Sequence, residues 1–489
     1  MRKHVKSPHV LRQLVPLLVL SLGVVALQFL RMTHLAPPPE YIWDNVYLWD
    51  WARNFSHGDF SNFVVDSHHQ LRWGNWAFAA VLIQLFGDEV IFYYLATLIP
   101  STVAILIFCY IAWRNIGTTA AVLFIIFWFF DALLFRATFQ LLPSGAGLLP
   151  LSLLLLLCHQ LVIRESASLV WQVCTAVVIF WLYGTKETHL AFVPAVFWLI
   201  YRTVGIRPML FILACLAIGY LLETLMFSLI HPDFSWLGRI HAVADGGQHV
   251  MLMTEQEKYV GQQTRYFDSG ITMRWVATSG VTPIVVFIGF ICALLAQSTL
   301  NQSGTDDVLH RQQVLIRILA AMVFSFVFFT TFFVVSVNPI RLGHPLVPRY
   351  ATLLMPIIYL LVIAYLTNQT RSANLATRLG FLAVIPFFIA PSIDRYAGYI
   401  PRNVFEISEG YNEFSQIMLE RECIRAKQPS IVLNQLDMIP EKYRNVRIQR
   451  MAANDELMIH KEPWYIVRAQ KDKKCLSMFT IHRNVTARY

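Results

Sequence analysis

Charged side chains stand at the ends of apolar runs that otherwise carry almost no charge. Lys186-Glu187 joins two such runs (WLYGTKETHLAF), Arg136 and Gln140 close an earlier one, and Arg349-Tyr350 (HPLVPRYATLLMP) opens a later one. Between the first two runs, Asp44, Asn45, Asp50, Arg72 and the pair His68-His69 fall in one polar, tryptophan-rich stretch. Lysine and arginine in such places can hold a phosphate and stabilise charge on a leaving oxygen where water is excluded. A carboxylate beside them can take the proton of an attacking hydroxyl. Simpler roles stay open. Asp44 suits a helix N-cap, Lys186 and Glu187 suit a local ion pair or snorkelling ends, and Arg349 suits an interface anchor. Asp50, Asp59 and Asp66 suit solvated loops. His68 and His69 are metal-ligand types, but neighbours point apart on a strand and diverge on a helix, which favours a merely polar role.

The stretch that must position these groups runs from Tyr41 to Gly87, with five tryptophans among its charges. Tryptophan and tyrosine interleaved with charge are what a membrane–water interface selects. After Asp44, the spacing of Leu48, Trp51, Ala52 and Phe55 predicts a helix with Asp50, Arg53 and Asn54 on its other face, lying flat on a bilayer. Trp76–Phe86 is apolar all round but too short to cross, since ~1.5 Å per residue spans only about half of a ~30 Å hydrocarbon core.

The rest of the chain says what holds this platform. It has 489 residues, a mean hydropathy of +0.52, 56% hydrophobic residues and 14% charged ones, well below the roughly 25% charge of a soluble domain. It reads as an all-α polytopic membrane protein. The +9 net charge sits largely in short loops and is no sign of a nucleic-acid partner. There is no CxxC, no Walker loop and no HExxH, so redox, ATPase and zinc-protease chemistry have no motif here. After a basic N-terminus the first apolar run reaches Leu30 with no cleavage-type site, as an uncleaved first span would. Further spans are expected near 89–113, 118–136, 142–163, 168–184, 188–204, 208–230, 279–298, 316–337, 350–367 and 379–392, about eleven in all. Basic residues alternate between loops in a way that puts the N-terminus in the cytoplasm and the C-terminus outside. The outer face then collects 31–88, 136–144, 184–188, 231–278, 338–349 and the tail. The loop 231–278 has the composition of a mobile loop or lid.

Two domains are expected: residues 1–392 in the membrane, with 31–88 as first outer loop, and 393–489 as a small extracytoplasmic α/β domain. In the tail, SIVLN, NVRIQRM and WYIVRA have strand length. Cys423 and Cys475 are its only cysteines; in an oxidising compartment they are expected to form a disulfide, closing a loop of about fifty residues worth roughly 3–4 kcal/mol. Mass spectrometry of unreduced protein checks this, and two free thiols would reject it.

Taken in order, the segments WDN after the first span, YLWDWARNFSHGDF, HHQLRWGNWAFAAVLIQLFG, FRATFQLLPSG, TKET and PRYATLLMP resemble the GT-C fold glycosyltransferases, the family that includes the protein O-mannosyltransferases and the lipid A aminoarabinose transferases. The resemblance covers most of residues 1–392. It implies a catalytic or metal-associated carboxylate at Asp44 and donor phosphate held by Lys186 and Arg349 with Arg72. Asn45, Asp50, Arg136, Glu187 and Tyr350 then become donor or acceptor contacts. The chain departs from the pattern at Asn45, where the family commonly has a glutamate, and at Ser144, where some relatives have an acid. The expected function is an inner-membrane enzyme that moves a sugar from a polyprenyl phosphate to a lipid, glycan or protein acceptor, with inversion. No cofactor is implied with certainty, and a divalent metal is left open. A transporter or flippase of lipid-linked saccharide, or a non-catalytic assembly subunit, is the alternative.

Overall fold

In the computed structural model, residues 8–36, 43–60, 68–165, 168–231, 234–242, 282–299, 307–332, 334–337, 340–342 and 351–370 are described, with short strands further on. They form α1 (Pro8–His34), α2 (Trp43–Ser56), α3 (His68–Leu71), α4 (Trp73–Phe86), α5 (Val90–Asn115), α6 (Thr118–Phe130), α7 (Ala132–Phe139), α8 (Pro143–Ala146), α9 (Leu148–Arg164) and α10 (Leu169–Thr185). A 3-10 turn, Glu187–Phe192, leads to α11 (Val193–Thr203) and α12 (Ile206–Ile230). The later helices are α13 (Thr282–Thr299), α14 (Asp307–Phe332) and α15 (Leu354–Thr370). The protein is a multi-pass, mostly helical membrane protein. Five described helices are long and apolar enough to cross a bilayer, and up to six if the bent pair α6–α7 counts as one. The short apolar helix read over Trp76–Phe86 is present as α4, with Phe78, Val81, Leu85 and Phe86 exposed along one side and Trp76, Ala79, Ala80 and Ile83 packed inward.

Three expectations need correction. The span read as 118–136 breaks at Asp131, where α7 leaves α6 at 73°. An aspartate within an apolar run is a poor helix interior but a good N-cap: Oδ1 accepts from the Leu134 amide at 2.8 Å, which starts α7. Its other oxygen accepts from the Tyr359 hydroxyl on α15, and Arg31 of α1 donates to the Phe129 carbonyl and lies over the Phe129 and Phe135 rings. The bend is thus fastened from two sides. Asp131→Ala is expected to cost about 1–3 kcal/mol, because a cap and a buried hydroxyl lose their partner together. Unfolding in detergent measures it, and an unchanged midpoint would mean that the bend is set elsewhere.

The span read as 188–204 is helical in the α sense only from Val193, and Glu187–Phe192 winds as a 3-10 turn. The described helices therefore do not establish eleven crossings by length and composition, and 379–392 lies outside the described residues. The platform helix also buries part of the face expected to be wet. Leu48, Trp51 and Ala52 are buried as their spacing predicts, but so are Trp49 and Arg53. Arg53 pairs with Asp88 between α4 and α5, with Nε 2.5 Å from Oδ2. A guanidinium drawn inward by a carboxylate is a cost that local periodicity does not register.

In the tail, Cys423–Ala426 pairs in parallel with Arg447–Arg450, and Ile466–Val467 pairs antiparallel with Phe479–Thr480. Strand therefore appears within NVRIQRM and WYIVRA. Cys475 and the rest of the tail lie outside the described residues.

Candidate functional site

The site grows from the contact between the start of α4 and the end of α10. Gly74 faces Gly184 and Thr185 so closely that a Cβ on it would fall 2.8 Å from their backbone atoms; one on Gly184 would fall 2.6 Å from the Trp73 ring. Asn75 Nδ2 then donates 2.9 Å to the Thr185 carbonyl. An N-terminus set against a C-terminus also aligns the two helix dipoles favourably. This docking brings Arg72, just ahead of α4, beside Glu187, just beyond α10.

Arg72 Nε and Nη2 donate to Glu187 Oε2 at 3.1 and 2.8 Å. The other carboxylate oxygen accepts from Arg239 Nε at 3.1 Å. Arg239 is 3% exposed and makes three more hydrogen bonds: Nη1 to Glu223 Oε1 at 2.6 Å and to the Leu71 carbonyl at 3.1 Å, and Nη2 to the Tyr183 carbonyl at 2.7 Å. Its guanidinium carbon sits 3.8 Å from the centre of the Tyr183 ring. Trp73 Nε1 donates to Glu223 Oε1 at 2.7 Å. Burial would raise the pKa of Glu187, but Arg72 and Arg239 outweigh it and hold this carboxyl well below the usual carboxylate range. Glu187 is therefore a fixed anion that orients two guanidiniums and a weak proton acceptor. Among the described ion pairs, Glu187 meets Arg72 and Arg239.

An apolar cavity of about 530 Å³ opens from this cluster between α4, α10 and α12, within the size range of small-molecule sites. Trp73, Trp76, Val177, Phe180, Ile218, Leu222 and Met226 line it, and among the described residues Glu223 is its one charged wall residue. Helix α12 buries only Ile212, Glu223 and Phe227. A lone acid on a helix that otherwise faces outward is thus turned into the protein, where a charge at membrane depth finds its partner.

Of the residues singled out from the sequence, the fold brings Arg72, Lys186 and Glu187 together. Arg136 lies apart on α7, its Nε donating to Gln140 Oε1 at 2.7 Å. Asp44, Asn45 and Asp50 fall on α2, Asp44 in its first turn, and their side chains lie outside the described residues. Arg349 and Tyr350 also lie outside, two positions or fewer ahead of the buried Ala351. His68 and His69 start the four-residue helix α3, and among the described residues no group of three His, Cys, Asp or Glu side chains could hold a metal. Arg239 and Glu223 belong to no motif. The sequence signal for Glu223 was its isolation in an apolar run; Arg239 had none beyond its place in a mixed loop.

Fold and site together define a polytopic α-helical membrane protein with a charged cluster at the head of an apolar cavity. Among solved structures it is similar to "ArnT from Cupriavidus metallidurans bound to undecaprenyl phosphate", with a TM-score of 0.47 and 12% identity over 90% of this chain and 86% of that one. ArnT from the same organism in the apo state aligns over the same shares with a TM-score of 0.34 and 13% identity. No family model matches the sequence, and no curated protein does.

Proposed function

We propose that the protein is a membrane glycosyltransferase that takes a sugar from a polyprenyl phosphate and transfers it to a lipid, glycan or protein hydroxyl on the outer face. The observation that carries this reading is the apolar cavity with Glu223 in its wall, the carboxylate that Arg239 links to Glu187 and through it to Arg72. An amphiphile with a long apolar chain and an anionic head matches it: the chain lies against Val177, Phe180 and Leu222, and the phosphate meets the cationic side of the cluster. The described charges of the cluster are three cations and two carboxylates, so an incoming anion meets a net attraction, strengthened by low dielectric. Arg349, from the sequence resemblance, is proposed as a further phosphate ligand.

In the proposed reaction the acceptor oxygen bonds to the anomeric carbon as the bond from that carbon to the phosphate oxygen breaks. The electron pair leaves with the phosphate, where Arg72, Lys186 and Arg349 stabilise it. The acceptor's proton passes to Asp44, and the single displacement inverts the anomeric centre. Donors of this kind are required where nucleotide sugars are absent, which fits a cytoplasmic N-terminus and an extracytoplasmic tail. Reporter fusions at 371–378 are expected to read cytoplasmic and fusions after Pro401 outside; the reverse would remove the reason for a lipid donor.

The cavity assignment has its own test. Val177→Trp puts a large ring where the chain would lie, and binding of polyprenyl phosphate to the purified protein is expected to weaken at least about tenfold, the loss of roughly 1.4 kcal/mol of contact. Unchanged binding would place the lipid elsewhere.

A further inference from the structure

The apolar cavity and the cationic cluster meet in two consecutive residues. Arg72 donates to Glu187, and Trp73, next in the chain, puts its ring into the cavity wall. Side chains of consecutive residues at a helix start point apart, which is how one step of backbone serves both. Their Cα atoms stand only ~3.8 Å apart. The wall and the proposed phosphate ligand therefore cannot shift independently.

The Trp73 ring is held on three sides. Its Nε1 donates to Glu223 Oε1 at 2.7 Å, and Arg239 Nη1 holds that same oxygen at 2.6 Å. One face lies on Gly184, where a Cβ would stand 2.6 Å from Cε2 and 2.7 Å from Cζ2 of the indole. Phe180 closes another side, with ring centres 5.5 Å apart. Phe180 is itself seated on Gly219 of α12, where a Cβ would fall 3.1 Å from its Cδ2. Phe180, Gly219 and Glu223 line the same cavity, so the pinned ring borders the space where the lipid chain is proposed to lie. Trp76, also in that wall, is fastened differently: it is 3% exposed, and its Nε1 donates to the nearby Gln70 carbonyl at 2.9 Å. Trp73 instead reaches a carboxylate 150 residues away, and a hydrogen bond to an ionised acceptor is roughly twice as strong as a neutral one.

We infer that Trp73 is a positioning residue: its fixed ring meets the first isoprene units of the donor and sets how far the chain runs in before the phosphate stops at Arg72. This rests on the glycosyltransferase reading and deepens it. A chain that slides past the ring carries its phosphate and anomeric carbon out of line, and a misplacement of about 1 Å can cost on the order of 10²-fold in rate. Contact energy along the chain is then used to place the reacting bond as well as to hold the lipid.

The experiment compares wild type with Trp73→Phe, which keeps an aromatic wall but is smaller and has no N–H for Glu223. Each protein is given a sugar on polyprenyl phosphate, and the same sugar on a homologue with two methylenes inserted between the phosphate and the first isoprene unit. Binding of sugar-free polyprenyl phosphate is measured beside them. In wild type the insertion is expected to lower kcat about 10- to 100-fold, because the ring holds the chain in the wrong register. Trp73→Phe is expected to have a kcat lowered by about the same factor with the normal donor, to bind sugar-free lipid much as wild type does, and to be nearly indifferent to the insertion. A merely structural role would lower kcat and leave the insertion penalty in place. An equal penalty in both proteins, or a wild type indifferent to the insertion, overturns the role of Trp73 and leaves the enzyme standing. So does weakened lipid binding with kcat unchanged, which would make the ring contact area alone. A wild type that transfers no sugar from the normal donor overturns the enzyme and Trp73 with it. Should Trp73→Phe fail to fold, Trp73→Tyr, whose hydroxyl keeps a donor on the Glu223 side, is read by the same criteria.

Discussion

Arg239→Ala is expected to destabilise the detergent-solubilised protein by about 3–5 kcal/mol, the usual cost of taking one partner from a buried ion network. The guanidinium is shared by Glu187 and Glu223, whose side chains are 15% and 3% exposed, and by the carbonyls of Leu71 and Tyr183. Without it Glu223 keeps the Trp73 and Tyr183 side chains as donors but loses its charged partner, and α3, α10 and α12 lose the group that ties them. Arg239→Ala combined with Glu223→Gln is expected to recover part of the loss, because the stranded charge is removed as well. Equal stability of Arg239→Ala and wild type would show that these helices are held by packing alone.

The same network gives stability a pH dependence of known sign. The folded pKa of Glu187 is lowered relative to its ordinary 4.5, so its contribution is complete at neutral pH and fades as pH falls below about that value. Glu187→Gln is expected to be less stable at neutral pH and to have a flatter profile on the acid side. A steeper one would contradict the pairing.

The second large effect concerns turnover. Asp44→Asn keeps the size of the side chain and its capping ability while removing its basicity, and is expected to slow transfer by ~10²–10⁴-fold with donor affinity retained. Arg72→Ala and Arg349→Ala are expected to weaken donor binding as well as rate, since a guanidinium on the phosphate meets charge in both ground and transition states. Titrating the donor separates the two classes. Near wild-type turnover by Asp44→Asn would move the base elsewhere, and Glu187, held as a weak base by two arginines, would be a poor successor.

How far the sequence led can be judged residue by residue. Lys186-Glu187 was legible because charge between apolar runs is expensive and has few neutral explanations. Arg72 was legible as part of a polar stretch beside such a run. Their meeting was not, since it depends on Gly74 and Gly184 letting two helix ends touch 110 residues apart. Glu223 gave a signal, one acid in a helix otherwise made for lipid, that a search for loop-end charges passes over. Arg239 gave none, because its four acceptors lie on four other elements. The break at Asp131 was hidden for a different reason: hydropathy averages over a single aspartate, whereas the backbone answers to its capping bond. Arg53 was placed on a wet face because periodicity records which residues share a side and says nothing of Asp88 waiting there.

The central claim is that a lipid phosphate in the apolar cavity gives up its sugar at the cluster. Purified protein in proteoliposomes, supplied with a panel of polyprenyl phosphates bearing labelled sugars and with lipid, glycan and peptide acceptors, measures this directly. Time-dependent appearance of label on an acceptor, abolished or sharply slowed by Asp44→Asn and blocked by Val177→Trp, is the predicted result. Passage of the intact lipid-linked sugar across the membrane with no label transferred would contradict the account and leave a transporter in its place.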